Sequence, residues 1–372
     1  MSGLVQQVKT AIFYDYIGAI GGAERVVLMM ARVLDADVIT TDVNRESVQK
    51  LGFEDIRIHS LGSTTDRSPA KQVQTSFKFF FCRFPGYDFY IFVGNYAPFA
   101  AFWHKPNLWY CQTPTRSFYD LRDYILKNQR SQFHRISALV WIELHSFFER
   151  IAIRHLRRIL ANSKNIRDRI LRYYLRDSAL LYPPVEVSHF HCSGYGDFWL
   201  SVNRVYKEKR IELQIETFRQ LPGEKLVVAG GYSEGEQERR YFQDLKDSLP
   251  PNVALLGEVP EDHLVELYAT CKGLICTALD EDFGLTPVEA MASGKPVVAV
   301  NEGGYRETVT EDTGILVDGE PGRIAEAVRT IARDPSSYRD ACKARAALFD
   351  LSRFREILET TMNDCVKEQA PK

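Results

Sequence analysis

The order of apolar and polar positions predicts two successive rounds of strands alternating with helices. The chain opens with an apolar strand at 8–14, a turn at 18–22 that contains three glycines, an amphipathic helix at 23–34 and a strand at 37–40. Further buried strands are predicted at 89–93, 108–111 and 158–161. A strand, a glycine turn, a helix and a second strand in that order are typical of a parallel α/β sheet.

A second alternating region follows a stretch around 182–196 that has two prolines, two glycines and no helical period. That stretch predicts an interdomain linker at 184–197. After it, strands are predicted at 198–202, 225–229, 253–257, 273–276, 296–300 and 314–317, with helices at 210–220, 236–248, 261–270 and from 286. We therefore predict an α/β fold with two Rossmann-like domains, 1–183 and 198–350, and a cleft between them. Residues 351–372 are predicted to form a helix that packs back toward the first domain.

Composition limits the class of protein. Hydrophobic residues make up 45% of the chain and charged residues 26%, as in ordinary soluble domains. The seven cysteines are scattered without a C-x-x-C pair, which disfavours disulfides and zinc and favours a reducing compartment. Neither a secretory signal nor an apolar run of about 18 residues is evident, so we expect a cytoplasmic protein, at most attached to the cytoplasmic face of a membrane.

The net charge of −2 hides a basic segment at 122–176, with thirteen Lys or Arg against four Asp or Glu. Such a segment indicates a solvated helix face, nucleic-acid binding or attraction to an anionic membrane. Within it a helix at 137–155 carries an apolar face formed by Val140, Leu144, Phe147, Phe148 and Ile151. Packing of this face against the first sheet is the favoured interpretation. Together with thirteen aromatic residues at 77–103, it also fits peripheral membrane binding by an enzyme with a lipid-linked acceptor, and we expect no nucleic-acid partner.

Ligands of parallel sheets bind where strands end and loops enter helices, so the loop at 280–289 is a candidate site. Gly284 and Leu285 would offer backbone N–H groups at the start of a helix, where anions bind. Glu281 precedes this helix and Glu289 lies within it, so both can reach one ligand. The alternative is structural, because Thr286 and Glu289 also have the spacing of a capping box. Spacing alone does not decide between the two.

A second candidate lies at 204–209, after the strand at 198–202. Arg204 and Lys209 are two cations on one strand-to-helix turn and suit a diphosphate, although they could equally be a surface charge pair. The turn at 230–233 adds Gly230 as a donor contact. The turn at 18–22 lacks the G-x-G-x-x-G pattern, which disfavours a nicotinamide cofactor, but Gly22 permits close backbone approach to a ligand or a helix.

Taken together, these segments resemble the GT-B glycosyltransferases of the retaining E-x7-E family, glycosyltransferase family 4, and are most similar to its O-antigen-type mannosyltransferases. Glu281 and Glu289 match the E-x7-E motif within EDFGLTPVEAMASGKPVVA, and Arg204 and Lys209 match the R-x4-K pair. GGAERV resembles the N-terminal glycine turn, and the segments ANS at 161–163 and LYPPV at 181–185 resemble the markers at the domain crossover. The resemblance extends over nearly the whole chain.

The resemblance implies a role for each residue. Glu281 would contact the donor sugar near its 3- and 4-hydroxyls, and Glu289 would accept from the ribose. Lys209 and Arg204 would hold the diphosphate and act in catalysis with Glu281. The donor, with GDP-mannose as the best guess, is a substrate, so neither a metal nor another cofactor is implied. The acceptor would be a glycan or a lipid-linked glycan.

One segment departs from the family pattern. Residues 111–120, CQTPTRSFYD, place Gln112 where relatives have histidine, while Arg116 and Asp120 are kept as candidate acceptor or sugar contacts. A glutamine donates a hydrogen bond but cannot titrate. A catalytically impaired sugar-nucleotide-binding protein therefore stays open as an alternative, as does a nucleotide-sugar epimerase of the same fold.

Two short segments bear on metal binding. Asp280 and Asp282 formally satisfy the D-x-D metal motif of another glycosyltransferase fold, but they lie inside the E-x7-E loop. His189 and His191 form a close pair in the linker. That spacing is a poor zinc signal, and we expect exposed polar side chains.

Overall fold

The computed structural model describes residues 8–18, 21–232 and 236–368. They divide into two units. Unit 1 comprises the chain up to Tyr182 together with the residues from Phe354, and unit 2 is Pro183–Arg353.

Unit 1 contains a sheet of seven strands in which every pairing is parallel. Its strands are Thr10–Tyr14 (β1), Asp37–Thr40 (β2), Ile58–Ser60 (β3), Phe89–Val93 (β4), Asn107–Cys111 (β5), Arg158–Ala161 (β6) and Ala179–Leu180 (β7). The helices that precede unit 2 are Gly22–Leu34 (α1), Arg45–Lys50 (α2), Ala70–Phe81 (α3), Arg122–Lys127 (α4), Gln132–Arg154 (α5) and Lys164–Tyr174 (α6). Short 3₁₀ helices lie at Ala97–Phe102 and Arg116–Phe118.

Unit 2 contains a second parallel sheet, of six strands. Its strands are Phe198–Val202 (β8), Lys225–Ala229 (β9), Val253–Gly257 (β10), Leu274–Cys276 (β11), Val297–Val300 (β12) and Gly314–Val317 (β13). Its helices are Ile211–Arg219 (α7), Glu236–Asp247 (α8), Glu261–Thr270 (α9), Leu285–Ala292 (α10), Tyr305–Thr308 (α11), Pro321–Ala332 (α12) and Arg339–Ala346 (α13), with 3₁₀ turns at Val187–His189, Lys207–Lys209, Pro335–Tyr338 and Ala347–Phe349. Helix Leu351–Lys367 (α14) begins in unit 2 and continues into unit 1.

Both sheets are ordered so that the chain reverses direction beside its first strand. The orders are β3-β2-β1-β4-β5-β6-β7 and β10-β9-β8-β11-β12-β13. In each sheet, the second and third strands lie on one side of the first strand. The fourth strand pairs with the first strand on its other side. Loops that leave the two central strands therefore diverge, and this opening at the carboxyl edge is where ligands of such sheets bind.

The two-sheet α/β architecture predicted from the apolar pattern is confirmed. Strands β2, β4, β6, β8, β9, β10 and β13 have the predicted bounds. The pattern missed β3 and β7, because short edge strands with few buried side chains give little alternating signal.

Residues 184–197, the predicted linker, belong to unit 2 and are bonded to it. The Tyr195 hydroxyl donates to the Gly294 carbonyl at 2.9 Å, and the Gly196 N–H donates to the Thr270 carbonyl at 2.7 Å. The buried ammonium of Lys295 donates to the Gly194 carbonyl and lies 4.2 Å from the centre of the Tyr195 ring. These bonds fix the segment at the start of unit 2.

Helix α5 corrects one interpretation of the sequence. Its predicted apolar face does not pack on the sheet, because Val140, Leu144, Phe147 and Phe148 are exposed. The buried face carries Ile142, Ala152 and Ile153 together with the polar His145, Ser146 and Glu149. Ser76 and His145 share a hydrogen bond of 2.9 Å between Oγ and Nε2, which helps to fix that orientation. Among the described residues, no helix is both long enough and apolar enough to span a bilayer.

Candidate functional site

In unit 2, the loops that follow β8 and β11 bring two predicted site residues into contact. The Lys209 ammonium donates to Glu281 Oε2 at 2.6 Å. The two side chains are 27% and 21% exposed, so a ligand can reach both. Since β8 and β11 are the central strands at which the strand order reverses, this ion pair lies at the expected ligand position of the sheet.

A second ion pair, which the sequence did not reveal, locks these loops together. Arg210 donates from both terminal nitrogens to the Glu302 carboxylate, at 3.0 and 2.9 Å. Its Nε donates to the Thr277 carbonyl at 2.6 Å, and the Leu279 N–H donates to the Glu208 carbonyl at 2.7 Å. A bidentate arginine–carboxylate pair is directional as well as strong, so it fixes the backbone that carries Lys209 and Glu281.

Helix α10 begins next to the loop that carries Glu281. Its first residues show whether Thr286 caps the helix, as the sequence left open. Gly284 is its N-cap, with φ of 89° and no side-chain cap, so Thr286 already lies inside the helix. The capping-box interpretation of Thr286 and Glu289 is therefore wrong. A Cβ on Gly284 would lie 2.8 Å from Cε1 of the buried Tyr305, so this position requires glycine. Leu285 is the first helical residue, and N–H groups of the first turn have no acceptor within the helix, which suits an anion.

Glu289 lies one turn further along α10. Its Oε2 accepts a hydrogen bond of 2.7 Å from the hydroxyl of the buried Tyr268. Burial and then the Glu289 charge raise the pKa of Tyr268 well above its ordinary value, so Tyr268 remains a donor. The bond orients Glu289, whose side chain is only partly buried.

Arg204 and Gly230 lie at the carboxyl ends of the neighbouring strands β8 and β9. Arg204 is exposed. A Cβ on Gly230, whose φ is 141°, would come within 1.8 Å of the Asn203 carbonyl oxygen. Gly230 is thus required for the close approach of two loops, and it supports the backbone that carries Arg204. A direct contact of Gly230 with the donor stays a prediction.

In unit 1, the predicted Gln112 and the glycine turn meet. The Gln112 side-chain amide donates to the Ala23 carbonyl at 3.0 Å, in the first turn of α1. Gly22 is the first residue of that helix, and Glu24 Oε2 accepts from the Gly21 N–H at 2.8 Å. Residues 19 and 20 of the predicted turn lie outside the described residues. Gln112 therefore donates a hydrogen bond to the backbone of α1, and its side-chain amide does not titrate.

Arg116 and Asp120 pair with each other. Arg116 Nε donates to Asp120 Oδ2 at 2.7 Å, and the two side chains are 26% and 24% exposed. Glu149 of α5 bonds to the same segment. It accepts hydrogen bonds from Thr115 Oγ1 at 2.5 Å and from the Tyr119 hydroxyl at 2.7 Å. Burial raises the pKa of Glu149 to about 7, although these hydrogen bonds lower it.

Asp15, which the sequence did not single out, lies where β1 ends. Its carboxylate accepts the N–H groups of Asn95, Tyr96 and Ala97 at 2.7 to 2.8 Å. Burial raises the pKa of Asp15 to about 6 against the opposing effect of these bonds. The switch point of unit 1 is thus occupied by a structural carboxylate.

Within 8–18, 21–232 and 236–368, no three His, Cys, Asp or Glu side chains are grouped so that they could hold a metal ion. Asp280 and Asp282 therefore gain no third ligand from this part of the chain. His189 and His191 are exposed, as predicted, and lie 3.8 Å from Glu261 and 3.4 Å from Glu266.

Comparison with known proteins finds matches to the same part of the chain. Residues 196–348, which include both ion pairs, match the family model of the glycosyl transferases group 1. The α-1,3/1,6-mannosyltransferase ALG2 of Homo sapiens is 30% identical over 207 residues, covering 48% of this chain and 49% of the human protein. ALG2 of Dictyostelium discoideum is 35% identical over 158 residues, or 37% and 38% of the two chains. The chain thus matches half or less of the length of these relatives.

Solved structures resemble nearly the whole chain. The Anabaena protein HepE, crystallised with UDP and glucose, has a TM-score of 0.71 at 20% identity, covering 96% of this chain and all of HepE. Sucrose-phosphate synthase from Thermosynechococcus elongatus has a TM-score of 0.74 at 17% identity, covering 97% and 100%. These likenesses establish the fold. Residues 196–348 thus match the group 1 glycosyl transferases, and the chain has the GT-B fold.

Proposed function

We propose that this protein is a retaining glycosyltransferase that moves a hexose, mannose from GDP-mannose, to a lipid-linked glycan. The observation that carries the proposal is the Lys209–Glu281 pair, held beside the start of α10 at the switch point of unit 2. The matched α-1,3/1,6-mannosyltransferases support mannose as the transferred sugar.

The geometry suggests how these residues would act. A bound diphosphate would draw the Lys209 ammonium from Glu281 and use the N–H groups at the start of α10. Glu281 would then accept from sugar hydroxyls, and Glu289 from the ribose. The bond from the anomeric carbon to the diphosphate oxygen would break while the acceptor oxygen bonds to the same face of that carbon. The acceptor proton would pass to the departing diphosphate, whose charge Lys209 and Arg204 would neutralise.

This arrangement would work without a metal, because cationic side chains and a helix start supply the positive charge. A lipid-linked acceptor would bring the enzyme to a membrane surface, so we include peripheral binding to the cytoplasmic face of an anionic membrane. The basic segment at 122–176 supports that part of the proposal.

The test is incubation of purified protein with GDP-, UDP- and ADP-sugars, with and without EDTA. We expect GDP-mannose to raise the melting temperature most, and GDP to be released slowly by hydrolysis in either condition. An anomeric NMR spectrum of the product with a lipid-linked acceptor would test retention. A new sugar nucleotide would identify an epimerase, and binding without turnover would identify a binding protein, so either outcome contradicts the proposal.

A further inference from the structure

Helix α5 presents a continuous apolar face to solvent. Five of its side chains, spaced by three or four positions, form this face, which we name the α5 stripe: Phe133, Ile136, Val140, Leu144 and Phe147. Each of them is between 51% and 76% exposed. Residues at this spacing share one side of a helix, and from first to last the stripe is about 21 Å long at 1.5 Å per residue.

The opposite side of α5 is already committed to unit 1. Ile142, Ala152 and Ile153 are buried there, and Glu149 is bonded to Thr115 and Tyr119. Turning the helix to bury the stripe would expose these apolar residues and break those bonds. An apolar surface of this extent on an otherwise satisfied helix indicates an interaction site.

Positive charge lies at the end of the stripe. Arg154 lies seven positions after Phe147, and therefore on the same side of the helix as the stripe, at the carboxyl end of α5. With Lys105 and Arg157 it lines a recess of about 260 Å³, which also includes Asn107 and His155. This is smaller than the roughly 300 to 1,000 Å³ of sites for drug-sized ligands and suits a compact anion.

Little in the described chain neutralises this recess. Arg157 pairs with Glu368 at 3.0 Å, whereas Lys105 and Arg154 form no ion pair with residues 8–18, 21–232 or 236–368. Burial and the Lys105 charge lower the pKa of His155, as expected beside a concentration of cations. The recess is therefore positive and open to an anionic group.

Aromatic side chains surround the same end of α5. The Phe102 ring lies 4.0 Å from that of His155, and the Phe80 ring lies 5.2 Å from Phe102. Trp103 is exposed, with the Arg83 guanidinium 3.7 Å from its ring centre, and Phe81 is exposed next to Phe80. Exposed aromatic rings next to cations are typical of surfaces that lie at the headgroup level of a bilayer.

We propose that the α5 stripe and the recess at its end form the surface that docks on an anionic lipid bilayer. The stripe lies at the boundary of headgroups and acyl chains, and the recess takes a lipid phosphate between Lys105 and Arg154. This inference rests on the peripheral binding included in the proposed function, and it names the surface responsible. An anionic bilayer is favoured over a second copy of the chain, because two copies would bring two segments of thirteen cations together.

The stripe is tested by co-flotation with vesicles of equal parts phosphatidylglycerol and phosphatidylcholine. We expect the wild-type protein to float at low salt. The variant Leu144→Gln/Phe147→Gln should bind the vesicles at least about tenfold more weakly. The matched control is Leu175→Gln/Leu256→Gln, which removes two exposed leucines elsewhere and should float as the wild type does. Equal flotation of the stripe variant and the control would overturn the proposal, as would a wild-type protein that does not float.

The recess is tested by Lys105→Gln/Arg154→Gln. This variant should lose binding to the mixed vesicles, while binding to pure phosphatidylcholine stays at the wild-type level. Two results together would identify a site for free phosphate instead: inorganic phosphate stabilises the wild type, and the variant floats as the wild type does. Sedimentation that shows a wild-type dimer, lost in Leu144→Gln/Phe147→Gln, would identify a second copy as the occupant. Both outcomes contradict lipid docking.

Failure of this inference can be told apart from failure of the proposed function. The thermal shift with GDP-mannose is measured on every variant and should be unchanged, because none of the substituted residues is one of the proposed donor contacts. Flotation without a response to any sugar nucleotide would contradict the proposed function alone. A donor response without flotation would contradict the docking surface alone.

Discussion

The two sheets share the order of their first six strands but use their switch points differently. At the end of β1, Asp15 is buried and accepts three backbone N–H groups. Beside the end of β8, Glu281 is partly exposed and pairs with the ammonium of Lys209. A buried carboxylate bonded to the backbone is shielded from a ligand, whereas an ion pair open to solvent can exchange partners. The same order of central strands therefore supports one structural carboxylate and one that is available for chemistry.

The largest effect is expected from Glu281→Ala. If Glu281 contacts the donor sugar, transfer should fall by about 10² to 10³, the range seen when one stabilising group of an active site is removed. Steady-state transfer from GDP-mannose measures this, and circular dichroism checks the fold. Glu216→Ala, which removes an exposed glutamate of unit 2, is the control and should keep full activity. Equal activity of both variants would contradict the role of Glu281.

Asp15→Ala should act on stability instead. Three N–H groups would lose their acceptor inside the protein, which we expect to cost about 3 kcal/mol of unfolding free energy. Hydrogen exchange at Asn95, Tyr96 and Ala97 should accelerate, while the thermal response to GDP-mannose persists. Asp15→Asn keeps one acceptor oxygen and should be milder. If Asp15→Ala lowered transfer from GDP-mannose as much as Glu281→Ala does, the contrast between the two switch points would be lost.

The pH dependence of stability should reveal the buried carboxylate of α5. The pKa of Glu149 rises from 4.5 to about 7 in the folded state, because burial disfavours its charge. Between these values the unfolded chain releases a proton that the folded chain keeps, so stability falls as pH rises and levels off above about 7. Glu149→Gln should reduce this fall by roughly 2 kcal/mol. Urea unfolding at pH 5 and pH 8 measures it, and an unchanged difference in the variant would contradict the assignment.

The smallest effect is expected from Gln112→His. Gln112 already donates to the Ala23 carbonyl, a bond that a histidine N–H can also make. Transfer should then change by less than about tenfold, since general acid–base catalysis would add 10² or more. A gain of that size would show that relatives with histidine use it to move a proton.

The sequence located the loops at 204–209 and 280–289 because their signals are local. Glu281, Gly284 and Glu289 lie within nine residues, and buried strands on either side are continuous apolar runs. Arg210 and Glu302 are separated by 92 positions, and neither belongs to a distinctive motif, so their pairing was not predictable. Asp15 was missed for the same reason, since its N–H partners come from a distant loop.

Helix α5 shows a different limit. Its period was read correctly, but the inward face was assigned to the more apolar side. Hydrogen bonds of His145 and Glu149 to Ser76, Thr115 and Tyr119 reversed that orientation. Periodicity identifies a helix and its faces, whereas long-range polar contacts decide which face turns inward.

The division of the chain has a consequence for its synthesis. Phe354, Leu358, Met362 and Cys365 are buried residues of unit 1, yet they follow all of unit 2 along the chain. During translation, unit 2 can therefore complete its core while unit 1 still lacks part of its own. On the ribosome, unit 1 emerges first and is completed last. Its apolar core is closed only by residues made about 170 positions later.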